Sequence, residues 1–233
     1  MLIFQAIILG LVQGLAEFIP ISSSAHLVIV PWLFGWTDQV LKGLTFDVSL
    51  HIGTLVALIV FFAADWWRLI KAFFASIAAR KIGDDPDRRM AWYLLAACIP
   101  GAFAGVFLEK KIEELFHPGG EITGAAMLWM AFFIALLGAL LLLAESLGKK
   151  TRPMGTMRWR DALLIGLSQA FAIFPGVSRS GATITAGLAL GLERPAAARF
   201  SFLLSAPIIA GAGAKSLYEL AKGLKDGGIP GNE

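Results

Sequence analysis

Two long apolar runs, near residues 2–34 and 160–192, are each broken close to the middle by proline and a knot of hydroxyl side chains. Lipid offers no hydrogen-bond partners. Irregular backbone at membrane depth therefore survives only where protein or a wet cavity satisfies it. In the first run the break is Pro20 followed by Ser22, Ser23 and Ser24; in the second it is Pro175-Gly176, Ser178, Arg179, Ser180 and Gly181. The two stretches are copies of one another at a constant offset of 156 residues, set by Gly10 and Gly166 and repeated at Ser22 and Ser178. Gly10, Leu11, Gln13, Ala16, Phe18, Ser22 and Ser24 recur as Gly166, Leu167, Gln169, Ala172, Phe174, Ser178 and Ser180. Phe46 and Ser49 recur in the same way as Phe202 and Ser205. Paired interruptions at corresponding places of two halves point to a polar site inside a membrane protein.

Composition supports that setting. The chain is 57% hydrophobic and 16% charged, with a mean hydropathy of +0.73, whereas soluble domains carry about 25% charged residues. The pI near 9.1 does not indicate nucleic acid, because the basic residues sit in short loops between apolar runs, as membrane orientation requires. Cys98 is the single cysteine and lies in an apolar run, so neither a disulfide nor a thiolate metal site is expected. No Lys or Arg precedes Lys42; without a basic n-region the first segment is expected to stay in the mature protein.

Further apolar runs at 44–64, 90–108, 123–145 and 200–222 are near the ~20 residues that cross a bilayer once. The expected fold is an all-α polytopic membrane protein, with two re-entrant helix–loop–helix pairs and about four full transmembrane helices forming an inverted repeat. It is a single membrane domain. The first repeat covers 1–145, with its re-entrant pair near 2–34; a second, shortened repeat covers 160–222, with its pair near 160–192. Arg68, Lys71, Arg80, Lys81, Arg88 and Arg89 mark 65–90 as a cytoplasmic loop, and Lys149, Lys150, Arg152, Arg158 and Arg160 mark 146–160 as another. The loop between them, rich in Glu109, Glu113, Glu114 and Glu121, suits the outer side. The first pair then enters from outside and the second from inside. Trp32, Trp36, Trp66 and Trp67 fall at span ends, where aromatic anchors sit.

Arg179 is the most informative residue. An arginine at membrane depth must face a partner or water. Beside it stand Ser178, Ser180, Gly181 and Thr183, with Gly176 just before. Hydroxyls and freed backbone N–H groups donate, and a guanidinium forks onto two oxygens at once. That is the chemistry of a phosphate cradle, although the order of a nucleotide P-loop is absent. A structural role is compatible with it: Arg179 can pair with Glu17 and lock the two tips together. Gln13 and Glu17 are four apart and share a helical face; Ser22, Ser23, Ser24 and His26 follow. Carboxylate, imidazole and hydroxyls beside a guanidinium suit phosphoryl transfer. His26 also fits a buried histidine bonded to a backbone carbonyl. His51 and Asp47 form a second tier, His117 and the Glu113–Glu114 pair read as solvated, and no cluster has zinc spacing. Glu17 is a candidate ligand for a divalent cation shared with substrate phosphates.

These motifs closely resemble the undecaprenyl-diphosphate phosphatase family, also called the bacitracin-resistance protein family. The family pattern (E/Q)xxxE stands here as Gln13-GLA-Glu17, running on into FIPISSSAH, and PGxSRSxxT stands as Pro175-GVSRSGA-Thr183. FDVSLHIGT and the segment from Arg199 to Pro207 also look like family segments, so the resemblance reaches to about residue 222. It implies hydrolysis of a C55 isoprenoid diphosphate to its monophosphate, the lipid carrier for peptidoglycan precursors, and with it bacitracin resistance. It further implies a bacterial inner-membrane enzyme open to the outer, periplasmic side and using a divalent cation, Mg2+ or Ca2+. Carried over, Glu17, His26, Ser23 and Arg179 are catalytic. Ser22, Ser24, Ser178, Arg179, Ser180 and Thr183 bind the diphosphate, with Gln13, Gly176, Gly181 and His51 in support. Either Ser23 or His26 is the nucleophile; physical preference goes to His26 attacking or activating water with Glu17 assisting, since an unassisted serine is a poor nucleophile. The expected partners are the polyprenyl diphosphate lipid, the bilayer and, where missing helices need replacing, a second protomer. Family members commonly run further than Lys225-DGGIPGNE with two more apolar spans, so a truncated variant is one expectation. The competing class is a transporter or flippase of a phosphorylated polyprenyl lipid, since broken helices in an inverted repeat are a transporter signature. Glu17 and His26 favour hydrolysis, because simple binding needs no acid–base groups.

Overall fold

The computed structural model describes residues 1–116 and 123–225, and within them every named element is helical. His117 and Glu121, and the chain end after 225, lie outside the described residues. In order the helices are α1 Leu2–Ala16, α2 Ser23–Leu33, α3 Leu44–Phe61, α4 Ala63–Ala78, α5 Pro86–Phe107, α6 Glu109–Phe116, α7 Gly124–Leu147, α8 Trp159–Ala170, α9 Arg179–Ala189 and α10 Arg194–Lys225.

Both breaks fall where the sequence places them, and the same local chemistry restarts the helix after each. Ser22 is the N-cap of α2 and its side chain accepts from the Ala25 backbone N–H; Ser178, its repeat mate, caps α9 by accepting from Gly181. A capping hydroxyl satisfies one of the donors that every helix start leaves open. The serine two residues on supports each cap: Ser22 Oγ lies 3.3 Å from Ser24 Oγ, and Ser178 Oγ lies 3.1 Å from Ser180 Oγ. α1 packs on α2, and α8 packs on α9. Outside the tips the hairpins are strongly apolar: Ile3, Phe4, Ile7, Leu11 and Leu15 of α1 are exposed, which suits a lipid-facing surface.

α5, α7 and α10 over Arg194–Glu219 are long and apolar enough to cross a membrane; α3 and α4 meet that test only together, bent by 78° at their junction. The single straight span expected at 44–64 is thus the first arm of a bent pair, and the stretch 65–78, expected to be loop, is helix. The reason is visible in α4's faces. Leu69 and Ser76 are buried, Phe73 packs on the core, and Trp67, Ile70, Phe74 and Ile77 point outward. Ser76 Oγ accepts from Trp92 Nε1 of α5 at 2.9 Å. Arg68 and Lys71 masked this helical periodicity in the sequence. α6 similarly fills part of the expected acidic loop.

Charged residues of the two basic loops meet at one end of the bundle. Ile82, Gly83 and Arg89 share a pocket with Met157, Arg158 and Trp159, and Tyr93 meets Trp159 edge-on at 4.9 Å. There Asp65, buried at the start of α4, accepts from Arg199 Nη2 with both oxygens, at 2.7 and 2.6 Å, and from Arg68 at 3.0 Å. Arg152 bonds Asp161 at 2.5 Å and the Leu190 carbonyl at 2.8 Å, tying the start of α8 to the end of α9.

The core lies between α5, α8, α9 and α10, around Phe200, Leu203, Leu204, Leu192 and Ile165. Helices approach closely where small residues face each other. A Cβ on Gly166 would stand 2.5 Å from the Ala97 carbonyl oxygen, so glycine sets the α5–α8 separation. Small residues at such crossings let membrane helices gain dispersion contacts that lipid would otherwise supply.

Candidate active site

A cavity of about 420 Å³ opens where the two breaks meet. Glu17 closes α1 as its C-cap residue and is 7% exposed. One carboxylate oxygen, Oε1, pairs with Arg179 Nη2 from the first turn of α9. The other, Oε2, accepts from Ser23 Oγ at 2.7 Å and from Gln13 Nε2 at 3.0 Å, one helical turn back. His51 of α3 brings Nε2 to 4.0 Å from the same oxygen, while its Nδ1 lies 2.8 Å from the Asp47 carbonyl. Four elements thus converge on one buried carboxylate. The arrangement also locks the tips: Ser180 Oγ reaches the Ile19 carbonyl at 3.5 Å, and Phe18 meets Phe202 edge-on at 5.5 Å.

Of the residues singled out in the sequence, Glu17, Ser22, Ser23, Ser24, Asp47, His51, Ser178 and Arg179 line the cavity. The others stand behind it. Gln13 is fully buried and holds Glu17. Thr183 Oγ1 bonds the Arg179 carbonyl at 2.9 Å and lies 2.6 Å from Ser201 Oγ, so it fastens α9 to α10. Gly176 has a φ of +90°, and a Cβ there would lie 2.6 Å from the Met130 carbonyl; one on Gly181 would lie 2.7 Å from Leu137 Cδ2. Both glycines permit close packing on α7, a different role from the approach of backbone to a ligand. His26 does not line the cavity. Its Nδ1 sits 2.8 Å from the Ser22 carbonyl, which is the backbone-bonded alternative weighed for it above. Among the described residues His51, ranked below His26 on sequence, is the imidazole that comes within 4.0 Å of Glu17.

Asp47, second tier with His51 in the sequence, faces the cavity beside it, and Glu109, Gly101, Gln169 and Ser216, none of them singled out for the site, also line it. Lys215 Nζ donates to Glu109 at 2.6 Å near one rim. Gln169 alone had left a signal, as the repeat mate of Gln13. α5 and α10 both start at the end that carries the basic loops, and Glu109 and Ser216 come after their last core turns. The cavity therefore reaches toward the opposite end of the bundle.

For a divalent cation the donor set is sparse. Among the described residues no group of three or more His, Cys, Asp or Glu side chains is placed to hold a metal, and both oxygens of Glu17 already accept hydrogen bonds. These residues fit an ion held mostly by phosphate oxygens, with one carboxylate such as Glu17 or Asp47, the usual habit of magnesium.

Known proteins match the chain over nearly its whole length. The family described as bacitracin resistance protein BacA matches residues 6–229. A protein of Pelotomaculum thermopropionicum named undecaprenyl-diphosphatase is 49% identical over 223 residues, covering 96% of this chain and 78% of the relative. Proteins of the same name from Geobacter sulfurreducens and Thermomicrobium roseum are 50% and 45% identical over 231 residues, 99% of this chain and 80% of each relative. The chain is a multi-pass membrane protein and belongs to the bacitracin resistance protein BacA family.

Proposed function

We propose that the chain hydrolyses undecaprenyl diphosphate to undecaprenyl phosphate and inorganic phosphate, returning the carrier lipid to cell-wall synthesis and so conferring bacitracin resistance. The relatives' shared name supports the reaction. The observation that carries the site assignment is the meeting of Glu17 and Arg179, one from each copy of the break, in a single cavity with Ser23.

The chemistry follows from that triad. An entering diphosphate offers Arg179 a bidentate partner of higher charge than one carboxylate. As the guanidinium turns to the phosphate oxygens, Glu17 Oε1 is released from its ion pair and left open to accept a proton. Ser23 Oγ already donates to Glu17 Oε2 at 2.7 Å, the nucleophile–base contact that general-base activation needs. Ser23 Oγ then attacks the terminal phosphorus, its proton passing to Glu17, and the bond to the bridging oxygen breaks to release undecaprenyl phosphate. Glu17 hands that proton to the departing undecaprenyl phosphate and is a carboxylate again; it then takes a proton from the water that attacks the phosphoserine and returns it to Ser23 Oγ as the P–O bond breaks, freeing inorganic phosphate. Arg179 opposes the charge that builds on the phosphoryl oxygens throughout. This geometry favours Ser23 over His26 as the attacking group, since Glu17 supplies the assistance a serine requires. His51 stands beside Glu17 to share its proton. A Mg2+ or Ca2+ ion, when bound, would add positive charge to the diphosphate oxygens.

We place the basic-loop end in the cytoplasm, which turns the cavity toward the outer face. The α1–α2 and α8–α9 hairpins are then the two re-entrant pairs of an inverted repeat, within 1–145 and 160–222. The tie of Arg152 to Asp161 and Leu190 at the basic end supports entry of the second pair from that side.

Release of inorganic phosphate from undecaprenyl diphosphate by the purified protein in detergent tests the proposal. Phosphate release that is lost in Arg179→Ala is expected. A wild-type protein that binds the lipid diphosphate, moves it between leaflets of a vesicle and never cleaves it would establish the transporter reading instead.

A further inference from the structure

Gln169 is a buried amide left without a partner in a cavity built for an anion. It is 3% exposed, it lines the cavity that holds Glu17 and Arg179, and neither Nε2 nor Oε1 has a hydrogen-bond partner. Burying an amide with both ends unpaired is costly.

The internal repeat explains how this arose. In the first copy Gln13 Nε2 donates to Glu17, four residues on. In the second copy the residue four after Gln169 is Ile173, which accepts nothing. The glutamine stands in both copies, but only one has a carboxylate to hold. Space is reserved for the second amide as well. A Cβ on Gly101 of α5 would lie 2.9 Å from Gln169 Nε2, so glycine at 101 lets the carboxamide lie flat against α5.

We propose that Gln169 is a substrate-binding residue, its side-chain N–H2 donating to an oxygen of the diphosphate opposite Arg179. Arg179 supplies charge from the tip of α9, and Gln169 supplies a neutral donor from the last turn of α8. A diphosphate presents more acceptor oxygens than one guanidinium can satisfy, and in a buried site every unmet oxygen weakens binding. The inference rests on the phosphatase reading for the identity of the lipid, and on the orphaned amide for the contact.

The test measures kcat, KM and the thermal unfolding midpoint in detergent for Gln169→Leu, Gln169→Glu and Gly101→Ala. It also measures binding of a non-cleavable methylene-bridged polyprenyl diphosphate. A hydrogen bond to a charged group corresponds to about a 10- to 100-fold loss of kcat/KM in Gln169→Leu, with weaker binding of the analogue to match. The unfolding midpoint stays level or rises, because leucine removes an unpaired buried amide; a structural glutamine would move it down. Gln169→Glu sets a negative charge toward the phosphates and falls below Gln169→Leu in binding. Gly101→Ala displaces the amide and loses affinity, whereas adding Gly101→Ala to Gln169→Ala costs nothing further. Gln169→Leu binding the analogue within twofold of wild type overturns the proposal, as does a loss of binding that appears only with a fallen midpoint. Two substrates separate the two readings: a wild type that binds the analogue yet releases no phosphate from undecaprenyl diphosphate removes the phosphatase reading, while the Gln169 contact is still decided by the variants' affinities for the analogue.

Discussion

Arg179 Nη2 and Glu17 Oε1 form an ion pair across 162 positions of sequence, with side chains only 17% and 4% exposed. Each is the other's counter-charge when no substrate is bound. Removing one partner from a buried pair leaves an uncompensated charge, at a cost of up to about 3–5 kcal/mol. Arg179→Ala is therefore expected to abolish phosphate release and also to lower the unfolding midpoint. Glu17→Gln keeps hydrogen-bonding capacity and should unfold less readily than Arg179→Ala while being equally inactive. Arg179→Lys restores charge without the fork, so it should recover stability more than turnover. Phosphate-release assays and thermal unfolding of the same samples check all three.

The three consecutive serines divide into different roles. Ser23 touches Glu17; Ser22 caps α2 and lies against Ser24. Ser23→Ala is predicted to remove activity with little change in unfolding. Ser22→Ala and its repeat mate Ser178→Ala each lose a cap, so each should destabilise by about 0.5–2 kcal/mol and retain a measurable rate. Rapid acid quench of wild type with labelled substrate should trap phosphate on Ser23. A wild type with no covalent phosphate and full turnover would show that water attacks directly.

Much of this site was legible because the duplication exposed it. Gln13, Glu17, Ser22, Ser178 and Arg179 all announce themselves as polar residues in a broken apolar run. What the sequence hid depends on distance in the chain. His51 and Asp47 rank second in the sequence because a span-end hydrogen bond explains them equally well, and it is α3 that carries His51 to 4.0 Å from Glu17 and Asp47 into the same cavity. Gly176 and Gly181 read as phosphate-loop glycines, yet a side chain at either would strike α7, a helix some forty residues earlier in the sequence. The serine pairs look like anion ligands in both copies because N-capping and anion binding use the same donors and acceptors. α4 hides in the sequence because its arginine and lysine suit loop and amphipathic helix alike, and the burial of Leu69 and Ser76, with Phe73 on the core, is what shows the helix.

Cation dependence follows from how little the protein offers a metal. With one carboxylate at most free to ligate, the ion is expected to arrive bound to the diphosphate. A chelator should then stop turnover while leaving the unfolding midpoint of the substrate-free protein unchanged, and added Mg2+ or Ca2+ should restore the rate. A midpoint that falls on chelation would reveal a resident ion.

Gly166 tests the close α5–α8 contact apart from chemistry. A Cβ there would lie 2.5 Å from the Ala97 carbonyl and 2.7 Å from its Cα, and rigid backbone cannot move aside as a side chain tip would. Gly166→Ala must push α8 off α5 at a cost of about 1–3 kcal/mol. Because Gln169 sits one turn further along α8, the same shift should lower kcat/KM. Gly14, whose Cβ would meet nothing within 4 Å, is the control: Gly14→Ala should be neutral or slightly stabilising.

Asp65 and Arg199 hold the bend between α3 and α4 against α10, far from the reacting groups. Asp65 is buried, with a side chain 11% exposed, while Arg199 is 47% exposed. The coupling should therefore exceed the ~0–1 kcal/mol of a surface pair and fall short of the ~3–5 kcal/mol of a fully buried one. A double-mutant cycle of Asp65→Ala and Arg199→Ala is expected to give about 1–2 kcal/mol between those bounds. Asp65→Ala alone should be the worse single change, because it releases Arg68 as well. Arg199→Ala leaves Asp65 one partner and should be milder. If the pair only fixes the bend, both variants keep wild-type KM at temperatures where they are folded. A KM that rises with Asp65→Ala while folding is intact would mean that the angle between α3 and α4 sets the position of His51 beside Glu17.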